Sequence, residues 1–112
     1  MIGSGFIKRH FANIAAAQTD AALVTAIAGT AIKVCGAYVK AGSTATAITF
    51  NSKGAGAGTP VTCLFAMGIN GDLELPFTGE GWFETTVGQG LTCTTGAGAT
   101  TGIQLIYSVT VP

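Results

Sequence analysis

The side chains that could do chemistry are few, and they form no recognised catalytic pattern. His10 is the only histidine in the chain, so any set of nucleophile, histidine and acid would have to recruit it. It stands beside an apolar run, where a histidine usually serves packing or lies on the surface. We therefore expect that His10 is not catalytic and that the protein is not an enzyme.

Carboxylates are the next candidates for acid–base chemistry. Asp72 and Glu74 follow a turn signal, and Glu80 and Glu84 flank the single tryptophan. A glycosidase needs two carboxylates that face each other across a groove, and this spacing does not indicate such a pair. A small glycan hydrolase using Glu80 or Glu84 is the enzyme alternative.

Two glycine-containing stretches resemble ligand-binding loops only superficially. "NGDLE" lacks the ligand spacing of a calcium loop. "GAGAGTP" lacks the Lys-Ser/Thr ending of a phosphate-binding loop, and a β-like run follows it. We expect no cofactor and no metal.

The charge content limits the classes of partner. Charged residues make up 9% of the 112 residues, and the formal net charge is zero. The cations are Lys8, Arg9, Lys33, Lys40 and Lys53, and the anions are Asp20, Asp72, Glu74, Glu80 and Glu84. Five scattered cations do not form the basic face that nucleic-acid binding requires. A small chain with so few charges would self-associate, which predicts that partner subunits cover part of its surface.

Cysteine use and hydropathy bear on location. No segment reaches the roughly 18–20 apolar residues that span a bilayer, so we expect no membrane contact. Cys35, Cys63 and Cys93 have no CxxC spacing, and each lies in an apolar or β-like run. The expected state is three reduced, buried thiols, as in a protein made in a reducing cytoplasm. One disulfide with a spare thiol is the alternative.

Short apolar runs recur between turn signals at the spacing of an antiparallel β-sandwich. In the final run, Ile103, Leu105 and Tyr107 alternate with polar positions, as on a half-buried strand. Leu73, Leu75 and Phe77 similarly share one face. The sequence therefore predicts a single all-β domain, sandwich or jelly-roll-like, over residues 10–112.

Local signals add detail to this domain. "TDAALVTAIAG" could form a short helix after Asp20, but its β-branched residues favour a strand. Asn70-Gly71 favours a type I′ hairpin. Residues 1–9, with two glycines and two cations, are expected to form an N-terminal arm; a frayed terminus is the alternative.

Trp82 and Phe83 complete the set of candidate contact residues. Neighbouring strand residues point to opposite faces, so one ring could fill the core while the other meets a neighbour or a ligand. The alternative is that Trp82 closes one end of the sandwich. The arm contributes further apolar and basic candidates. The expected partner-binding residues are Phe6, Ile7, Lys8, Arg9, Phe11, Trp82 and Phe83.

The pattern "LPF…GWFETTVGQGLTCTTGAGATTGIQLIY" resembles small β-sandwich virion structural proteins of tailed bacteriophages. The shared features are an "LP" strand, a "GWF" corner, a "G-x-G-L" turn and a final "TTG-x-Q" strand, over most of residues 10–110. The resemblance implies a head decoration (cement) protein: a homotrimer on the outer surface of the capsid that binds the major capsid protein and braces the shell. A tail or receptor-binding module of the virion and a small glycan-binding domain are the alternatives.

Overall fold

The computed structural model describes residues 4–15, 17–96 and 100–111, and these residues form ten β-strands. In chain order the strands are β1 (Ser4–Ile14), β2 (Ala21–Val24), β3 (Ala31–Lys40), β4 (Thr46–Lys53), β5 (Thr59–Pro60), β6 (Phe65–Met67), β7 (Asp72–Leu75), β8 (Phe83–Glu84), β9 (Gly90–Thr95) and β10 (Thr101–Thr110). The described ranges contain no helix, and hence none long and apolar enough to cross a membrane.

The strands build two antiparallel sheets that pack together. Sheet A has the order β1-β10-β3-β7, with β8 also paired to β3. Sheet B has the order β2-β9-β4-β5, with β6 also paired to β4. The all-β, single-domain β-sandwich predicted from the sequence is confirmed, and β2 confirms the strand reading of "TDAALVTAIAG".

The core forms between the sheets from the apolar positions of the alternating runs. Ile48 and Phe50 on β4 are fully buried, as are Leu91 and Cys93 on β9. In sheet A the corresponding residues are Ile32, Val34, Ala37, Val39, Ile103 and Leu105. Burying the side chains of this set supplies the main favourable free energy of folding, about 1.5–3 kcal/mol for each large aliphatic or aromatic residue.

One irregularity in β3 changes which of its residues face the core. Ile106 pairs with Gly36, whereas the next residue, Tyr107, pairs with Val34, so Cys35 is an extra residue in β3. Such a bulge shifts the inward phase of a strand by one position. The core positions accordingly change from Ile32 and Val34 to Ala37 and Val39.

The N-terminal segment does not stand apart from the domain. Ser4 pairs with Thr110, and Ile7 to Ile14 pair continuously with residues 101–108 of β10. Residues 4–9 are therefore part of an edge strand rather than a separate arm, because their backbone groups complete the ladder of sheet A. Residues 1–3 of the expected arm lie outside the described residues.

Two local predictions about the residues between β6 and β8 are wrong. The turn at Gly68–Gly71 has a positive φ only at Asn70, and it connects β6 of sheet B to β7 of sheet A. It is therefore a crossing between sheets and not a type I′ hairpin. Phe77 does not join the face of Leu73 and Leu75, because β7 ends at Leu75 and the Phe77 ring is exposed.

The three thiols are unpaired, but they are not all buried. Cys35 and Cys93 are buried, whereas Cys63 is exposed in the segment between β5 and β6. Burial, with a smaller contribution from the negative charge of Asp20, raises the pKa of Cys93 to about 12. Cys93 is thus a thiol that behaves as a small apolar residue, in the way the sequence predicts.

Candidate binding face

The solvent-facing side of sheet A carries a row of four side chains that crosses all four of its main strands. Phe11 on β1 pairs with Gln104 on β10, Gln104 pairs with Tyr38 on β3, and Tyr38 pairs with Glu74 on β7. Directly opposed residues in an antiparallel ladder project to the same face, so the row alternates aromatic and polar groups across the sheet.

A second row lies two residues farther along each of β1, β10 and β3, and it forms the floor of a groove. Arg9 pairs with Ile106, which pairs with Gly36. Gly36 has no side chain, and Pro76 and Phe77 lie beside it at the edge of the row. The surface is therefore concave here, and the groove has a volume of about 610 Å³. We call this concavity, lined by Arg9, Phe11, Tyr38, Glu74, Phe77 and Gln104, the sheet A groove.

The aromatic rings around the groove are unusually open to solvent. Phe11 is 71% exposed, Phe77 is 58% exposed and Tyr38 is 39% exposed. Single exposed apolar residues are ordinary, but a contiguous group rimmed by polar side chains marks a site of interaction. The sheet A groove is therefore the strongest candidate for a binding surface among the described residues.

The polar groups of the groove are balanced in charge. Arg9 lies on the β1 side and Glu74 lies on the β7 side, three strands away. The Tyr38 hydroxyl donates to Asp72 Oδ2 at 3.1 Å, and this bond is the main cause of the raised pKa of Tyr38. The contact holds the Tyr38 hydroxyl against β7, while the side chain remains partly exposed.

The glycine-rich corner before β8 holds the two neighbouring aromatic residues on opposite sides of sheet A. Phe83 turns inward, where its ring centroid lies 5.0 Å from that of Phe50. Trp82 remains 48% exposed, and its indole Nε1 donates to the Pro76 carbonyl at 2.7 Å. Gly81 adopts φ +84°, a conformation that lets the chain turn sharply just before the tryptophan. The expected division between one core ring and one outer ring is confirmed.

The structure brings together only part of the expected contact set. Ile7, Arg9 and Phe11 lie on the outer face of β1, with Ile7 and Phe11 strongly exposed. Lys8 is exposed on the other face of that strand, opposite Tyr107. The Phe6 side chain lies outside the described part of the chain. Phe83 packs against the core and is partly buried, so its side chain is less exposed than that of Trp82.

Sequence reasoning missed the β3 and β7 side of the groove. Tyr38, Glu74, Phe77 and Gln104 are separated by up to 66 positions (104 minus 38), and no local pattern indicates that they meet. The alternation does place Gln104 and Glu74 on outward positions. What it does not supply is the strand order, β1-β10-β3-β7, which makes those outward positions neighbours.

The outer face of sheet B is different in character, because its side chains are occupied with one another. Asp20, half-buried, accepts hydrogen bonds of 3.0 Å from the Gly58 N–H, Asn51 Nδ2 and Thr92 Oγ1. The Gly58 bond is the largest cause of the lowered pKa of Asp20. Asn51 also donates to Thr94 Oγ1 at 3.0 Å. This Asp20 network ties the loop before β5 to the sheet.

Groups suited to acid–base or metal chemistry are dispersed over the fold. His10 lies half-buried on the edge strand, at the side of the groove. Within residues 4–15, 17–96 and 100–111, no three His, Cys, Asp or Glu side chains lie close enough together to hold a metal ion. The sheet A groove offers exposed aromatic side chains and hydrogen-bonding groups.

Comparison with known proteins does not identify a family for this chain. No protein-family model matches the chain, and no curated protein is significantly similar to it in sequence.

Proposed function

We propose that the protein is a structural component of a virion: a bacteriophage decoration, or cement, protein that binds the outer capsid surface as a trimer and stabilises the shell. The observation that carries this proposal is the number of large hydrophobic side chains left in solvent on a chain with 9% charged residues. These side chains are Ile7, Phe11, Ile27, Tyr38, Leu64, Ile69, Phe77, Trp82, Val87 and Val111.

Their distribution favours several protein contacts over a single one. Ile7 and Phe11 lie on β1, Ile27 and Val87 lie in loops, and Leu64 and Ile69 flank β6. A trimer on a lattice needs separate surfaces for its neighbouring subunits and for the shell. Surface hydrophobics on several sides, with few charges between them, suit that requirement.

The edge of sheet A is the surface that we assign to the shell. β1 is 11 residues long, and among the described residues no strand pairs with its outer side. Such an edge offers backbone donors and acceptors to an added strand. Ile7, Lys8 and Arg9 lie along it, so an apolar anchor and two cations would accompany the backbone contact.

The stabilising effect would follow from linkage. A partner that binds the assembled lattice, and not the dissociated shell subunits, shifts the equilibrium toward the lattice by mass action. No covalent step is required, which agrees with the dispersed reactive groups on this chain.

The decisive measurement is the copy number of the chain in purified particles of the virus that encodes it. Quantitative mass spectrometry against the major capsid protein should give a ratio near one to one for a lattice-wide decoration. A few copies per particle would instead indicate that the protein is located in the tail or at a single vertex. Complete absence from particles would overturn the proposal.

A point substitution tests the contact surface more cleanly than truncation, because residues 4–9 complete sheet A. Ile7→Ser should weaken binding to particles lacking the protein by roughly five- to tenfold, since a half-exposed isoleucine would lose its apolar burial. Thr86→Ala is the control, because Thr86 is exposed between β8 and β9 and is not one of the hydrophobic side chains assigned to a contact. Equal binding by Ile7→Ser and Thr86→Ala would contradict a shell contact at β1.

A further inference from the structure

We propose that the sheet A groove is a binding site for an uncharged oligosaccharide. The concavity of about 610 Å³ falls within the range of small-molecule sites, which combine apolar walls with a few placed polar groups. This inference goes beyond the capsid proposal and does not depend on it, since it is argued from the shape and side chains of the groove. The groove combines Arg9 and Phe11 on β1 with residues of β3, β7, β10 and the segment after β7.

The spacing of the rings is the first argument. Phe11 and Tyr38 are two strands apart in one row, which corresponds to about 10 Å at the ordinary strand spacing. Phe77 lies at the β7 side of the same concavity. Apolar ring faces repeated along a groove suit a ligand whose own units repeat, each with an apolar face of C–H groups.

The polar groups supply the second argument. Arg9 only donates hydrogen bonds, an ionised Glu74 only accepts them, and Gln104 does both. Sugar hydroxyls both donate and accept, so each of these three side chains finds a partner on the same ligand. Because the two charges cancel, the groove has no excess charge to select a polyanion or a polycation.

The direction of the groove is the third argument, and it favours a sugar over a peptide strand. The groove crosses the strands, and the ladders β1–β10, β10–β3 and β3–β7 occupy the backbone groups beneath it. An extended peptide obtains its main-chain hydrogen bonds at a free sheet edge. A ligand lying across the row must be held by side chains alone, as an oligosaccharide is.

Trp82 provides a signal for the test. Its indole is hydrogen-bonded to the carbonyl of Pro76, and Pro76 lines the groove. A ligand that packs on Pro76 and Phe77 would change the surroundings of the only tryptophan in the chain.

The experiment titrates the full chain with neutral hexasaccharides: maltohexaose, cellohexaose, xylohexaose and chitohexaose. Binding is followed by Trp82 fluorescence and by isothermal titration calorimetry. We expect at least one of them to bind with a Kd below about 1 mM. Tyr38→Ala and Glu74→Gln should each weaken that binding at least tenfold.

The controls separate site, fold and occupant. Leu64→Ala removes a hydrophobic side chain that is 66% exposed outside the groove, and it should leave the Kd unchanged. Circular dichroism should show the same β spectrum for every variant, since Tyr38 and Glu74 are exposed. No binding by any of the four sugars, or binding that Tyr38→Ala and Glu74→Gln leave intact, would overturn the proposal.

Two further outcomes identify a different occupant. If sedimentation shows self-association that Phe77→Ala abolishes, a second copy of the chain occupies the groove and the sugar proposal is wrong. If the wild-type chain binds particles and Tyr38→Ala does not, the groove belongs to the shell contact. Failure of capsid binding by the wild-type chain, by contrast, leaves the sugar titration unaffected.

Discussion

Replacing Asp20 by Asn tests whether the Asp20 network holds the outer face of sheet B together. Asp20 has φ +52°, a conformation that Asn also adopts readily, so the substitution adds no backbone strain. The introduced amide keeps one acceptor oxygen, but its NH₂ group must then face at least one of the donors from Gly58, Asn51 and Thr92. The change therefore removes hydrogen bonds and charge without changing side-chain size.

The expected loss follows from the number of contacts and their exposure. Hydrogen bonds to a charged group contribute about 1.5–3 kcal/mol when buried, and partial exposure of Asp20 moves the value toward the lower end. With one or two of the three bonds retained, Asp20→Asn should lower the free energy of unfolding by about 1–2 kcal/mol. For a domain of this size the Tm should fall by about 4–8 °C.

The pH dependence of the free energy of unfolding tests the contribution of Asp20 independently. The pKa of Asp20 in the folded state lies below its ordinary value of 3.8, so the unfolded state binds more protons near that pH. The stabilisation is complete above about pH 5 and is lost as the pH falls through 3.8 and then through the lower folded pKa. The variant should lack this component, so the two proteins should converge in stability under acid conditions.

Urea unfolding at pH 7 and pH 3, followed by Trp82 fluorescence, measures both effects. Glu80→Gln is the control, because it removes an exposed carboxylate from the corner before β8. If Asp20→Asn and Glu80→Gln had the same free energy of unfolding at pH 7, the network would contribute nothing and the reasoning would be refuted.

Two further predictions follow from neighbouring features. Gly58→Ala should also destabilise the fold, because the added Cβ would overlap Asp20 Oδ1; combined with Asp20→Asn, its cost should be less than additive, and strictly additive costs in a double-mutant cycle would contradict the shared contact. A thiol reagent at pH 8 should rapidly modify only Cys63 in the native protein, and it should modify all three cysteines after unfolding. The pKa of Cys93 is raised to about 12, so rapid labelling of Cys93 in the native protein would show that sheet B opens at β9.

The alternation of the sequence predicted the fold class because it reports directly on burial. Ile103 and Leu105 face the core as their spacing indicates, and the glycine-rich segment Gly54–Gly58 lies between β4 and β5. The bulge at Cys35 escaped prediction, because an extra residue in one strand is visible only against its partner. The turn at Asn70 was misread for a related reason: a local signal specifies a turn, but not which sheets it joins.

The candidate site was less predictable than the fold. Phe11 and Arg9 were proposed as contact residues in the N-terminal part of the sequence, but the residues that line the groove with them come from distant strands. Strand geometry predicted that Trp82 and Phe83 point to different sides, but it did not predict which of the two rings packs against the core. Tyr38 and Glu74 become part of a site only through the pairing of β3 with β7, which requires long-range topology.

The pairing of β1 with β10 has a consequence for how the chain matures. Ile14 pairs with Thr101 and Ser4 with Thr110, so one ladder joins the first described strand to the last. The ribosome must synthesise nearly the whole chain before β1 can pair with β10. Until then, β1 remains an unpaired, partly apolar segment. The cations Lys8 and Arg9 in the middle of that strand would hinder its pairing with copies on neighbouring ribosomes, since like charges would face each other. Lys8 and Arg9, which are exposed on the finished sandwich, would thus also oppose aggregation of the nascent chain.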